Sequence, residues 1–247
     1  MAIGVFAYFQ YAPVESNVSV TDAKAVPIGS DGATFIVSLR LDNAGPPVAL
    51  TVARSQSDAD VHMMNPSNPG NSLVIPGGTH GLLAMDGAHI MMSNPSADFS
   101  EGAFQSIALT FDDGSEVTAR VIHAGAHEDV GAMNHGAGHG MEASPTPTIQ
   151  IVPPTTPNVD GFKVQLTFDN IELVAAPDGA AHIDGQGHAH IYLNGLKLGR
   201  LYEDNFELGS LQPGNYALRI ALNTNDHRPY VAFGQPIETE LEFRIPE

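Results

Sequence analysis

Apolar residues recur at every second position along most of the chain. The alternation is clear in Thr34-Phe35-Ile36-Val37-Ser38-Leu39-Arg40-Leu41, Val48-Ala49-Leu50-Thr51-Val52, Ile107-Ala108-Leu109-Thr110-Phe111 and Glu116-Val117-Thr118-Ala119-Arg120-Val121. A period of two sends successive side chains to opposite faces, so each run is predicted to be a β-strand with one face on a core. Turn signals separate them: Asp42-Asn43-Ala44-Gly45-Pro46-Pro47, Pro76-Gly77-Gly78 and Asp112-Asp113-Gly114. No long 3.6-residue period survives this punctuation, which makes the fold class all-β, a sandwich or a barrel.

From His123 to Asn158 the alternation gives way to Gly, Ala, Pro, Thr, His and Met, ending in Pro153-Pro154-Thr155-Thr156-Pro157. Such a stretch buries no core and reads as a linker. Strand-like runs resume with Phe162-Lys163-Val164-Gln165-Leu166-Thr167-Phe168 and continue through His188–Leu193, Tyr216–Leu222 and Glu240–Ile245. The expectation is two β-sandwich domains, residues 1–122 and 159–247, joined by a His/Met/Pro-rich linker over 123–158.

Composition narrows the chemistry. The chain has 247 residues with 43% apolar content, enough for two cores. It has no cysteine, so disulfides and thiolate metal sites are excluded and methionine is the one soft ligand left. Acidic residues outnumber basic ones 28 to 10, a formal charge of -18 that repels phosphate backbones and anionic membrane surfaces while attracting cations. Nucleic acid is therefore not an expected partner. The apolar start Ala2–Phe9 is too short for a bilayer core of about 30 Å and lacks a basic flank. Membrane contact is expected only if an N-terminal anchor has been removed.

The candidate chemistry lies in three His/Met clusters. The first is His62-Met63-Met64 with His89-Ile90-Met91-Met92. On strands, His62 shares a face with Met64, and His89 with Met91, so two neighbouring strands could aim two imidazoles and two thioethers at one point. That donor set suits Cu(I), whereas Zn(II) prefers thiolate, imidazole or carboxylate and Ca(II) takes oxygen. Single methionines and histidines are mostly core fillers and turn residues. Two such clusters among only eight methionines are harder to read that way.

The stretches Val18–Pro27, Phe35–Asn43, Val61-His62-Met63, Ile75-Pro76-Gly77-Gly78 and Ala88-His89-Ile90-Met91-Met92 together resemble the periplasmic copper chaperones of the PCuAC type. The resemblance covers about residues 17–122. It implies a cupredoxin-like first domain, a periplasmic or otherwise extracytoplasmic location, and a Cu(I) site in which His62, His89 and Met91 match the family's ligands. It also implies delivery to a copper-accepting enzyme or assembly factor, cytochrome oxidase being one destination. Where the family carries a further methionine after the first histidine, this chain has Leu73. Met63 or Met64 could replace it, Met64 being favoured by strand parity, with Met85 a weaker candidate on the preceding strand.

The second cluster is the linker tract His123, His127, Met133, His135, His139 and Met141. Spread among glycines, these side chains could wrap a metal without a preformed site, at the cost of ordering the chain. Similar tails in PCuAC-like proteins imply Cu(II) binding; a solvated spacer is the plainer alternative. The third cluster is His182, His188-Ala189-His190 and Asn225-Asp226-His227. His188 and His190 share a strand face, and His227 would complete three imidazoles, a set favouring Cu(II) or Zn(II). Hydrogen bonding at strand ends and turns is the structural alternative. The segment Gly187–Gly195 with Leu211–Tyr216 and Leu222–His227 resembles a small sandwich domain of exported bacterial proteins, which implies a fold and no activity.

No nucleophilic triad, paired-carboxylate motif or phosphate loop is present in a recognisable context, so an enzyme is not expected. The expected function is copper binding outside the cytoplasm, as a chaperone. The alternatives are a copper storage or resistance protein, or an extracellular interaction module in which the His and Met residues are incidental.

Overall fold

The computed structural model describes residues 14–29, 32–70, 72–125, 140–153, 157–177 and 180–247. Among them there is no helix. The strands before residue 124 are β1 (Val18–Ile28), β2 (Thr34–Asn43), β3 (Val48–Ser55), β4 (Asp60–Met64), β5 (Leu73–Ile75), β6 (His80–Leu83), β7 (His89–Ser93), β8 (Phe104–Phe111) and β9 (Glu116–His123). After residue 139 come β10 (Met141–Glu142), β11 (Thr148–Val152), β12 (Phe162–Asp169), β13 (Glu172–Leu173), β14 (Gln186–Leu193), β15 (Leu196–Leu201) and β16 (Asn205–Leu208). The last four are β17 (Gly214–Thr224), β18 (Tyr230–Ala232), β19 (Gln235–Pro236) and β20 (Glu238–Ile245). Each alternating run picked out in the sequence lies within one of these strands.

Two hydrophobic clusters account for the order of the chain. One gathers Phe35, Leu39, Leu41, Leu50, Ile75, Ile90, Met92, Ile107 and Phe111. The other gathers Val164, Leu166, Ala189, Ile191, Leu193, Leu218, Ile220, Leu222 and Tyr230. Fully burying each large aliphatic side chain stabilises the fold by about 1.5–3 kcal/mol before entropy is counted. The two clusters are not held only by a tether. Fourteen strands form one sheet, eleven of them in the order β20-β17-β14-β15-β6-β2-β1-β9-β8-β3-β5 with β13 on β14 and β7 and β4 branching from β2, and β15 meets β6 at Lys197↔Leu82. Leu196 on β15 is buried in the first cluster, and Leu198 packs on both.

The linker expectation needs revision at both ends. His123 closes β9, paired with Ala25 of β1, and belongs to the first sheet. Past residue 139 the chain is already part of the second unit: Met141 pairs with Tyr230, and Ile149 is core beside Phe168 of β12. The polar and proline-rich composition of 140–152 hid two short strands, which dock on the second cluster through Met141, Ile149 and Ile151. Residues 126–139, with His127, Met133, His135 and His139, lie outside the described residues.

One junction positions everything that follows. The first four residues of β2's free edge pair with β7 and the later ones with β6, so the sheet branches there, and β4 continues the branch from β7. The turn 84–88 between β6 and β7 abuts the Asn194-Gly195 turn of the β14–β15 hairpin: Ala88 N–H donates to the Gly195 carbonyl at 2.8 Å and Asn65 Nδ2 to the Asn194 carbonyl at 2.8 Å. Gly195 has a positive φ of 87°, and a Cβ there would meet Asn65 Oδ1 at 2.1 Å. Only glycine fits that approach.

Candidate metal centres

The ladder between β4 and β7 sets the first site. It is antiparallel, with His62 opposite Met91 and Met64 opposite His89. Directly opposed residues of an antiparallel pair project to the same side, and 62 shares parity with 64 as 89 does with 91. Two imidazoles and two thioethers therefore stand on one face. It is the outer one: His62 and Met64 are exposed, Met64 by 45%, and His89 and Met91 are half-buried. The inner face anchors the ladder, with Ile90 and Met92 fully buried. His89 Nδ1 lies 3.0 Å from the Gly87 carbonyl, an acceptor only, so Nδ1 carries the proton and Nε2 is left as a lone pair.

Three sequence expectations change here. Met63 sits on the opposite face and packs against the first core, because parity turns it inward between His62 and Met64. Met85 lies in the turn after β6 and not on a strand. His123 is a packed ring, 4.9 Å from Phe35 and 5.2 Å from Phe99 between centroids, and its Nδ1 accepts the Gly125 N–H at 3.0 Å. That bond puts the proton on Nε2, so His123 holds the end of the sheet and offers no lone pair. Leu73 is 1% exposed on β5, inside the core.

The second assembly was half legible. His188 and His190 lie side by side on β14, 3% and 2% exposed, with their Nε2 atoms 2.9 Å apart. His227 comes from the turn after β17, its ring centroid 5.0 Å from that of His188. One nitrogen from each of the three lies within 4.8 Å of the others. His227 has a positive φ of 65°, held by a clasp in which Arg228 N–H donates to Thr224 Oγ1 at 3.0 Å and the Arg228 guanidinium pairs with Asp226 at 2.8 Å.

What sequence reasoning missed is Asp86, from the turn between β6 and β7. Its Oδ2 lies 3.0 Å from His190 Nδ1, 2.6 Å from Lys197 Nζ and 2.9 Å from the Tyr192 hydroxyl. Tyr192 follows His188 and His190 at the same parity, so alternation could have added it to the group. A carboxylate only accepts, so the bond to Asp86 takes the His190 Nδ1–H and leaves Nε2 as an acceptor for His188; the Lys197 ammonium, a donor only, stands 3.1 Å from that Nδ1 and 3.4 Å from Nε2. His182 stands apart, its Nε2 3.0 Å from Asp184 and its ring 5.8 Å from Tyr230.

Burial controls the protonation of this group. It is the main reason His188 is pushed down to about 2, with the neighbouring imidazoles, Arg200 and Lys197 adding to the shift. Burial also pushes His190 down to about 4, against the pull of the Asp86 hydrogen bond. Burial alone would raise the Asp86 carboxyl, but the His190 hydrogen bond and the Lys197 charge hold it well below the usual carboxylate range. Both histidines are thus neutral near pH 7. An unfolded histidine titrates near 6.5, so below that pH the unfolded chain binds more protons and folding weakens. Unfolding free energy is expected to fall as pH drops from 6.5 towards 5, above the range where most carboxylates titrate. Urea denaturation at several pH values checks it: His188→Gln should flatten the slope, and an unchanged slope would rule out this origin.

No protein-family model matches the chain, and no curated protein does. Among solved structures, the copper-bound PCuAC domain from PmoF2 is 16% identical, with a TM-score of 0.39, covering 46% of this chain and 95% of that domain. The apo PCuAC domain from PmoF1 is 15% identical, with a TM-score of 0.37, covering 44% and 95%. Fibronectin(III)-like modules of Clostridium thermocellum CbhA are 10% identical, with a TM-score of 0.29, covering 93% and 94%.

Proposed function

We propose that this protein is an extracytoplasmic copper carrier that takes Cu(I) on the outer face of β4 and β7, through His62, Met64, His89 and Met91. The observation that supports it is the register His62↔Met91 and Met64↔His89, which puts four soft or borderline donors on one face. Opposed Cβ atoms stand about 4.5–5.5 Å apart, and methionine's flexible thioether spans the remaining distance along the strands. The exposure of His62 and Met64 favours a carrier over a resident cofactor, because transfer by ligand exchange requires an acceptor to reach the ion. The acceptor is a copper enzyme or its assembly factor, cytochrome oxidase being the destination that the PCuAC resemblance implies. A storage role uses the same site and differs in lacking an acceptor.

The test is a Cu(I) titration against a chromogenic chelator under reducing, anaerobic conditions. Wild type is expected to withdraw about one equivalent more copper than the His62→Ala/His89→Ala variant, the difference being this site. Equal uptake by the two proteins would remove the site.

A further inference from the structure

We infer that His188, His190 and His227 form a second, imidazole-only site for a divalent ion such as Cu(II) or Zn(II), with Asp86 from the first unit as its outer carboxylate. The donors are preassembled by two separate elements of the fold. β14 aligns two imidazoles on one face between β15 and β17, and the clasped 224–228 turn brings the third. A non-glycine residue held at positive φ is the kind of strain that persists where a side chain must be placed, and His227 is such a residue.

The distances suit a metal. With metal–nitrogen bonds of about 2.0–2.1 Å, two nitrogens 2.9 Å apart subtend about 90° at the ion. With His190 Nδ1–H given to Asp86, the 2.9 Å contact makes His188 Nε2–H the donor to His190 Nε2. An ion takes the place of that proton when His188 moves it to Nδ1, with no net charge change on the imidazole. Three imidazoles and no sulfur select Cu(II) or Zn(II) over Cu(I), and exclude the oxygen-seeking Ca(II) and Mg(II).

Asp86 supplies the feature that distinguishes a metal-binding histidine from a packed one. Metal-bound imidazoles nearly always donate their other N–H to a carboxylate or carbonyl, which fixes the tautomer and raises basicity. His190 has this bond to Asp86 at 3.0 Å. The Lys197 ammonium is also near, and its pairing with the same carboxylate at 2.6 Å offsets its repulsion of a cation. Because Asp86 lies on the turn that leads into His89, the site is complete only when the two units are docked.

The test isolates this site from the proposed Cu(I) face and from the linker. The full chain is prepared with His62→Gln, His89→Gln, His127→Gln, His135→Gln and His139→Gln, then titrated with Cu(II) or Zn(II) against a competing chelator. About one equivalent of either ion is expected, and bound Cu(II) should give an electron paramagnetic resonance spectrum with nitrogen hyperfine structure. His190→Ala and, on the surface turn, His227→Gln are expected to weaken binding by about 100-fold or more. Asp86→Asn should weaken it by about 10–100-fold with altered hyperfine couplings, the signature of a positioning residue. No uptake of either ion by the five-site variant, or unchanged affinity after His227→Gln in a folded protein, overturns the inference. Neither result bears on the Cu(I) face, whose histidines are already absent.

Discussion

Asp86→Ala is expected to destabilise the folded protein by about 3–5 kcal/mol, the usual cost of removing one partner of a buried ion pair. The carboxylate side chain is 10% exposed and one oxygen accepts from Lys197, Tyr192 and His190. Without it, the Lys197 ammonium stands buried and unpaired. Burial already lowers the Lys197 pKa, and Asp86 is what opposes the shift. The substitution leaves three outcomes for the chain: Lys197 gives up its proton, water enters, or β15 pulls away from β6. Each costs free energy. Because Lys197 pairs with Leu82 at the bridge between β15 and β6, the loss falls on the contact that joins the two units. Replacing both partners, as Asp86→Leu with Lys197→Met, should recover most of the stability, since an apolar pair of similar volume has no charge to strand. Urea denaturation followed by circular dichroism reads both variants. A loss below about 1 kcal/mol for Asp86→Ala would show that the carboxylate is not what holds the junction.

The physical reason for what the sequence revealed is period. Alternation is local, so it exposed the strands and put His62 with Met64, His89 with Met91 and His188 with His190. The Asn194-Gly195 pair is likewise a local signal, a two-residue hairpin turn with both residues at positive φ. Register is not local. That β4 pairs with β7 across β5 and β6 depends on the branch at β2, where β7 takes one part of the free edge and β6 the other. Asp86 was invisible for the same reason. It is one acidic residue among 28, in an ordinary-looking turn, and its partner Lys197 is 111 positions away. Lys197 itself sits between two leucines, where alternation assigns a solvent-facing side chain. It is 8% exposed, because the junction covers that face of β15 as well.

The two assemblies differ in ways that follow from where they sit. The outer face of β4 and β7 is open, with thioethers available and, among the described residues, no hydrogen-bonded lattice around the donors beyond the His89–Gly87 bond. His188 and His190 are enclosed and tied to a network of carboxylate, ammonium and phenol, with half-buried His227 beside them. An open, soft donor set suits an ion that must be handed on, and a closed, imidazole set suits one that is kept. The turn from Asp86 to His89 belongs to both. Gly87, whose carbonyl fixes His89, could not carry a side chain: a Cβ there would meet the Gly195 carbonyl oxygen at 2.7 Å.

Exchanging Met64 and Met91 together for leucine is expected to lower Cu(I) affinity by about 100-fold or more, while Met63→Leu leaves it unchanged. The three substitutions are chemically identical and similar in volume, so stability should change by less than about 1.5 kcal/mol in each case. They differ only in face. Met64 is 45% exposed and lies on the His62 side of β4, Met91 faces His62 across the ladder, and Met63 packs against the core. Leucine removes the thioether and keeps the bulk, so loss of Cu(I) binding in the double variant assigns the sulfurs and not the packing. Binding of Cu(II), for which thioether is a poorer donor, should fall much less, since both imidazoles remain. The comparison also tests the register itself. A one-residue slip between β4 and β7 would exchange the faces and make Met63 the residue that matters. Chelator competition on the three proteins distinguishes these cases: loss of Cu(I) in Met63→Leu, or its retention in the double variant, would break the link between the ladder and the metal.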